Sequence, residues 1–308
     1  MTLKKALGDY TTIYMAYRNF ADRTRVEYIN DLQGFIEFAE KAGVIHAKEA
    51  GLPIVERFIA GLEQKGYSSL TRKRKVVAIR SFFSFLYQDG YIHTNIASKI
   101  ILPFTETTTP HILTQAECDR LQAACAANPR DKAIIELLLQ TGIKLSELTR
   151  LTLNDIDLEE SDEAGVEQIG YIRVLGNRSK DERIVPLSKK ANLAIRSYLK
   201  VREKAGFNIL FLNRFGLPVS DRGLQKILRK YLKKAGIGSA SIQTLRHTFG
   251  AQHLAKGTSL KIIQEVMGLK DVRSISVYQL LAKEVASREM NYPTLHFVTG
   301  GVSPRSLS

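Results

Sequence analysis

Between Ile101 and His111 the chain reads ILPFTETTTPH, two prolines bracketing a polar, threonine-rich run. Proline is poorly tolerated inside helices and central strands, and it steers the residue before it towards extended backbone. The run is therefore linker chemistry. It divides a chain of 308 residues into two bodies, each of which must build its own core, and a chain of that length favours two domains in any case. The expected organisation is a first domain over 1–103, a linker over 104–112, a second domain over 113–290 and a C-terminal tail over 291–308. The tail ends in GGVSPRSLS and is expected to be disordered.

The first hundred residues carry helical periodicity. In YINDLQGFIEFAEKAG the apolar positions Tyr28, Ile29, Leu32, Phe35, Ile36 and Ala39 recur on one helical face, and Gly43 is a plausible stop. IVERFIAGLEQKG reads as a second helix. A third, SSLTRKRKVVAIRSFFSFLYQDG, has a basic first half with Arg72, Lys73, Arg74, Lys75 and Arg80, and an aromatic second half with Phe82, Phe83, Phe85 and Tyr87. Such a helix suits a wall that buries its aromatic end and turns its cations towards DNA; the blander reading is a solvated basic face.

Charge supports the first of these. The 45 Lys and Arg exceed the 31 Asp and Glu by 14, which concentrates polyanions around the chain, nucleic acid being the commonest. The two cysteines, Cys118 and Cys125, sit two turns apart on an expected helix. They are too far apart to bridge and read as small core residues in a reducing compartment. No apolar run is long enough to span a bilayer and MTLKKALGDY lacks a signal-peptide core, so a cytoplasmic location with no membrane partner is expected. No Cys-x-x-Cys pair or histidine cluster has ligand spacing, so neither a metal nor a cofactor is expected.

After the linker, Thr114 and Glu117 form a capping box that opens a helix. DKAIIELLLQTG is a strongly apolar helix stopping at Gly142, and LSELTRL restarts at once. YIRVL and RIVPL are short strands flanking the polar turn GNRSKDE. After LAIRSYLKVREKAG the chain reads as helical to near residue 292, with breaks at Gly216–Pro218, Gly236–Gly238 and Gly257. The fold class is thus mainly α with a small β-sheet, an α+β arrangement.

Four segments then follow in order: TGIKLSELTRLTLNDID (141–157), IRVLGNRSKDERIVPLS (172–188), IQTLRHTFGAQHLAKGTSLKIIQEVMGLKD (242–271) and VYQLLAKE (277–284). Together they resemble the catalytic domain of the tyrosine recombinases, or phage integrase family, and the helical first half resembles that family's core-binding domain. The resemblance covers about Tyr10 to Glu284. It implies a C-shaped clamp on duplex DNA and cleavage by a tyrosine hydroxyl, leaving a 3′-phosphotyrosyl bond and a free 5′-hydroxyl. Two forked guanidiniums would neutralise the phosphate, a lysine would protonate the leaving oxygen, and histidines would move protons and hold the phosphate. Energy is conserved in the covalent bond, so no ATP is implied.

Position by position, Tyr278 matches the nucleophile and Arg246 the second arginine. The first arginine falls on Lys144, a point charge where a two-pronged donor is usual. The hairpin lysine lands on Asn177 or Arg178, depending on the anchor, and arginine holds its proton too tightly to be a good acid. Lys180 serves only if the turn is reshaped. The histidine three residues before Arg246 is Gln243, which cannot shuttle a proton near neutral pH. The later His or Trp is Leu269, which has no donor. His247 is assigned a packing or supporting role, and His253 a place on the helix face. The expected DNA contacts are Arg72, Lys73, Arg74, Lys75 and Arg80 with Arg178 and Arg183 on the hairpin.

Four of the six family positions are altered. The expectation is a DNA-binding protein with lost or severely reduced strand cleavage, in an architectural, regulatory or helper role, associating with itself on DNA as a dimer to tetramer or with a partner recombinase. The alternative is an active recombinase in which Lys144 and Arg246 clamp the phosphate, Gln243 orients, Lys180 is the acid and Tyr278 attacks. A type IB topoisomerase shares this chemistry but fits the segment order and separate helical domain less well.

Overall fold

The protein divides into two units, Met1–Thr108 and Thr109–Ser308. This computed structural model describes residues 1–105, 109–158, 170–176, 182–203, 206–269 and 272–290. The first unit contains α1 (Leu3–Asp9), α2 (Met15–Tyr17), α3 (Asp22–Lys41), α4 (Leu52–Gln64) and α5 (Ser69–Gln88). Its core follows the expected spacing. α3 buries Leu32, Phe35, Ile36 and Ala39, α4 buries Ile54, Val55 and Phe58, and α5 buries Ile79, Phe82, Phe83 and Phe85. Phe35 meets Phe58 and Phe83 edge-on at 5.4 and 5.9 Å between ring centres, the orientation that aromatic quadrupoles favour. The aromatic half of α5 is buried except for Tyr87, which is 44% exposed.

The second unit starts with α6 (Gln115–Cys125). Its capping box is formed as expected: the Glu117 N–H donates to Thr114 Oγ1 at 3.2 Å, and the Thr114 N–H donates to Glu117 Oε2 at 2.8 Å. Cys118 and Cys125 are buried, and burial pushes each thiol up to about 11, which keeps them protonated and unreactive. The central element is α7 (Pro129–Thr141). Pro129 occupies the first turn, where its missing N–H costs nothing, and the Asp131 N–H donates to the Asn128 cap at 2.9 Å. Ile134, Ile135, Leu137 and Leu138 are all fully buried on it. A helix buried on most of its surface needs cover on several sides, and the neighbours α9 and α11 supply much of it.

α8 (Leu145–Leu148) follows, then β1 (Ile156–Asp157), β2 (Tyr171–Leu175) and β3 (Glu182–Pro186). The three strands pair antiparallel in chain order, with Ile156 opposite Ile172 and Ile172 opposite Val185. β2 alternates in burial, Ile172 and Val174 facing inwards. Two of these strands were expected; β1, at two residues, is too short to leave an alternation in the sequence. α9 (Lys189–Val201), α10 (Asp221–Lys234), α11 (Ile242–Ala255), α12 (Leu260–Met267) and α13 (Val272–Met290) complete the unit.

One expectation is corrected. The described residues between α9 and α10 are not helical: they bridge Ile209 to Thr152 and Leu212 to Pro218. The run NILFL favours extended backbone, and Arg202 fixes it by donating to the carbonyls of Phe207, Ile209 and Leu210 at 3.0, 2.7 and 2.9 Å. Residues 106–108 of the expected linker, the hairpin turn 177–181 and the tail 291–308 lie outside the described residues.

The turn after α7 sets the geometry of everything that follows. Gly142 ends the helix at φ +58°, and a Cβ there would lie 2.5 Å from Cδ1 of Phe249 on α11. Gly142→Ala combines left-handed strain with a clash in a packed interface. It is expected to destabilise the second unit by about 2–4 kcal/mol, read as a lowered urea midpoint. An unchanged midpoint contradicts this packing.

Candidate functional site

Three cations converge on the C-terminal end of α12. Arg183 Nε donates to the Val266 carbonyl at 2.7 Å, Arg246 Nη2 to the Met267 carbonyl at 2.5 Å, and Lys144 Nζ to the Gly268 carbonyl at 3.5 Å. The last carbonyls of a helix have no partner within it and carry its negative dipole end, so they attract cations. Arg246 also donates through Nη1 to the carbonyl of Gly142, at the C-terminal end of α7. Two helix ends therefore grip one guanidinium, and Arg246 is 3% exposed. Gly268 takes the left-handed conformation (φ +61°) that turns the chain back beneath Arg183.

A buried carboxylate completes the cluster. Glu147 on α8 accepts both prongs of Arg183, at 2.9 and 2.7 Å, and lies 3.7 Å from Lys144 Nζ. Burial pushes its carboxyl up, but the Arg183 fork, the Lys144 N–H and both positive charges outweigh this and hold it below the usual carboxylate range. Burial lowers the Lys144 ammonium; Glu147 opposes the shift, while Arg246 and Arg183 reinforce it.

Beside this cluster is a cavity of about 340 Å³. Lys144, Gln243, Arg246, His247 and Tyr278 supply its polar lining, and Pro110, Leu269 and Val277 its apolar lining. Tyr278, on α13, is 2% exposed. Its ring packs so closely on α11 that a Cβ at Gly250 would lie 2.6 Å from two of its carbons. Burial raises the Tyr278 hydroxyl above its ordinary value, while the Arg246 guanidinium and its hydrogen bonding pull it down. The hydroxyl therefore stays protonated at neutral pH. His247 stacks at a tilt against Tyr278, with 5.5 Å between ring centres. Its Nε2 lies 3.2 Å from the Gln243 amide, and its Nδ1 is buried without a partner.

The structure thus brings Lys144, Gln243, Arg246 and Tyr278 into one cavity. Leu269 joins them, and so does His247, which the sequence assigns only a supporting role. Lys180, Arg178 and Asn177 lie outside the described residues. Arg183 is not at the surface: its side chain is 12% exposed and carries the Glu147 bridge. His253 packs on Phe249 at 4.5 Å.

In the first unit, the expected DNA-facing cations of α5 have protein partners. Asp31, 2% exposed, accepts from Arg74 at 2.6 Å and from Lys75 at 2.7 Å. Arg72 bridges Glu63 at 2.5 Å, Lys73 donates to Thr105 at 3.1 Å, and Arg80 donates to the Ala97 carbonyl at 3.1 Å. A basic face that sequence reasoning missed lies on α10. Arg222, Lys226, Arg229 and Lys233 are exposed, and their spacing sets them in one stripe opposite the buried Leu224, Leu228 and Tyr231. The signal was present in DRGLQKILRKYLKK, where apolar residues recur every three or four positions with cations between them. Among the described residues, no three metal-ligating side chains cluster, and no helix is long and apolar enough to cross a membrane.

The chain is similar to known proteins over most of its length. Residues 111–284 match the phage integrase family, and residues 7–90 match the phage integrase N-terminal SAM-like domain. The chain is 35% identical over 264 residues to the tyrosine recombinase XerC of Thermodesulfovibrio yellowstonii, covering 82% of this chain and 83% of that one. It is 29% identical over 293 residues to the tyrosine recombinase XerD of Halalkalibacterium halodurans, covering 92% and 95%. Its fold is similar to the XerH site-specific recombinase in a post-cleavage complex with difH substrate, with a TM-score of 0.72, 19% identity and coverage of 89% and 81%. It is also similar to a lambda integrase dimer bound to a COC′ core site, with a TM-score of 0.70, 19% identity and coverage of 91% and 95%.

Removing one partner of a buried ion pair strands the other. Glu147→Gln is expected to cost about 3–5 kcal/mol by denaturant unfolding, and much less when combined with Arg183→Met. Because the folded pKa of Glu147 is depressed, its contribution is complete above the ordinary carboxyl value of about 4.3. It is lost as pH falls through the lowered folded value. Equal costs for the single and double variants, or no acid-side difference between native and Glu147→Gln proteins, contradict the pairing.

Proposed function

The chain belongs to the phage integrase family of tyrosine recombinases, and on that premise we propose that it is a DNA-binding protein whose strand cleavage is severely reduced. One observation carries this reading: the cavity keeps Arg246 and Tyr278 and has Lys144 in place of the other arginine, while Gln243 and Leu269 occupy two of the places where this chemistry wants proton-moving or phosphate-holding donors. Each lost donor costs about 3 kcal/mol, or roughly 100-fold in rate. Such losses do not simply add, but two together leave cleavage slow. Lys144 adds to the deficit, since an ammonium gives one point of contact where a guanidinium gives two.

Binding draws on a different resource. DNA affinity is spread over many phosphate contacts, and the chain has an excess of 14 positive charges. The α10 stripe is the foremost candidate surface in the second unit; in the first, the cations of α5 are held in place by carboxylates, a hydroxyl and a carbonyl. Such partners preorganise a cation but also compete with phosphate, so α5 is read as a positioned wall of moderate strength. On DNA the chain is expected to associate with itself or with a second recombinase, in an architectural, regulatory or helper role.

A second reading has its own support. Arg246 and Tyr278 interact directly within one cavity, which is the arrangement an attacking tyrosine needs. Under that reading the chain is an active site-specific recombinase, with Lys180 as acid.

A nicked duplex that traps the covalent adduct separates the two. The expected result is a DNA mobility shift with adduct forming at least about 100-fold more slowly than with a recombinase carrying the full residue set, and abolished by Tyr278→Phe. Restoring Lys144→Arg, Gln243→His and Leu269→His together is expected to raise the rate. Adduct at ordinary recombinase rates from the native chain sinks the reduced-cleavage reading. Lys226→Ala with Lys233→Ala is expected to weaken binding and to lower the slope of log affinity against log salt by about 2; an unchanged slope removes α10 from the interface.

A further inference from the structure

We propose that His247 is the proton acceptor for Tyr278, and that Gln243 orients it for this role. The inference rests on the reading that the cavity retains slow cleavage, and it names the group through which that cleavage runs.

The buried Tyr278 hydroxyl holds its proton, so attack on phosphorus requires a neighbour to take it. Within the cavity the candidates are few. Lys144 and Arg246 are cations, Gln243 is an amide, and Leu269, Val277 and Pro110 have nothing to offer. His247 alone among these lining residues can take a proton near neutral pH. Its ring touches that of Tyr278 across the α11–α13 contact, and its Nδ1 is buried and unpartnered. A buried polar atom without a partner is costly and calls for an explanation; a proton arriving during the reaction supplies one.

Gln243 lies one helical turn before His247 and meets its Nε2 at 3.2 Å. The two ends of a glutamine amide exchange by a half-turn. With the oxygen turned towards His247, the amide accepts the Nε2–H, which fixes the tautomer and leaves a lone pair on Nδ1. The residue that cannot itself move a proton thus orients the one that can. Among the described residues lining the cavity, the charged and titratable groups around His247 are Arg246 on its own helix, Tyr278 from α13 and Lys144 from the turn into α8, and the segment after α12 and the 110 segment contribute Leu269 and Pro110. Burial and Arg246 both lower the imidazole's affinity for protons, so it is neutral at pH 7 and free to accept.

The step balances without a cofactor. The Tyr278 oxygen forms a bond to phosphorus as the bond from phosphorus to the 5′-oxygen breaks. The phenolic proton passes to His247 Nδ1, and the expelled oxygen takes a proton from water.

A nicked duplex with a bridging 5′-sulfur at the scissile phosphate isolates the nucleophile's side, because a thiolate leaves without needing an acid. With this substrate the native chain is expected to form adduct at a rate that falls as pH drops through a value below 6.5, the ordinary imidazole value. His247→Asn is expected to lower the plateau on the order of 100-fold and to abolish that acid limb, with DNA affinity unchanged. If His247→Asn fails to hold DNA, His247→Gln is read in its place. Native-like rate and pH profile in the variant overturn the inference while leaving slow cleavage standing. No adduct from a native chain that still shifts the duplex overturns both, and leaves a protein that only binds.

Discussion

Three consecutive backbone carbonyls at the end of α12 hold together the positive side of this site. Val266, Met267 and Gly268 each receive a different cation, from β3, α11 and the turn into α8. Three separate elements are thereby fixed to one helix end. The arrangement is economical in physical terms, because those carbonyls would otherwise be orphans needing water. It also answers a problem of repulsion: three like charges close together in a partly buried space oppose one another. The helix dipole and the Glu147 carboxylate offset that repulsion. A phosphate entering the cavity would meet charge that is already assembled.

The same geometry separates gripping from breaking. Arg246 faces the cavity as a cation held by two backbone carbonyls, and Lys144 as a half-exposed cation with a longer contact to a third. Proton transfer depends on side chains alone. On the proposed reading, Gln243 in place of a histidine and Leu269 in place of a phosphate-holding donor slow the chemistry, while the contacts that hold Arg246 do not involve either side chain. Packing reinforces the separation: Gly142 and Gly250 allow α7, α11 and α13 to approach so closely that Phe249 and Tyr278 fill the space a Cβ would need.

Much of this was legible beforehand, and the rest was not for identifiable reasons. The helix faces of α3, α4 and α5 follow from apolar spacing, and the capping box at Thr114 from two residue types three apart. Lys144, Arg246 and Tyr278 could be assigned to one site because short motifs surround them. The fate of Arg183 could not be read, since its partners Glu147 and Val266 lie far away in the chain. Arg74 and Lys75 hid their pairing for the same reason: Asp31 is on another helix. A run of cations announces charge and is silent about which of them are already spoken for. His247 was visible but ambiguous, because only the fold places its ring on that of Tyr278. The α10 stripe was readable from periodicity but carries no motif to draw notice.

The central claim is that the cavity holds a phosphate between Arg246 and Lys144 while Gln243 cannot itself move a proton and Leu269 has no donor. A structure of the full chain on a nicked duplex tests this most directly. The expected result is a scissile phosphate contacted by both Arg246 and Lys144, with Tyr278 beside it, no donor from position 269, and the Met267 carbonyl still bound to Arg246. A cavity empty of phosphate, with the duplex held elsewhere on the second unit, would contradict the account.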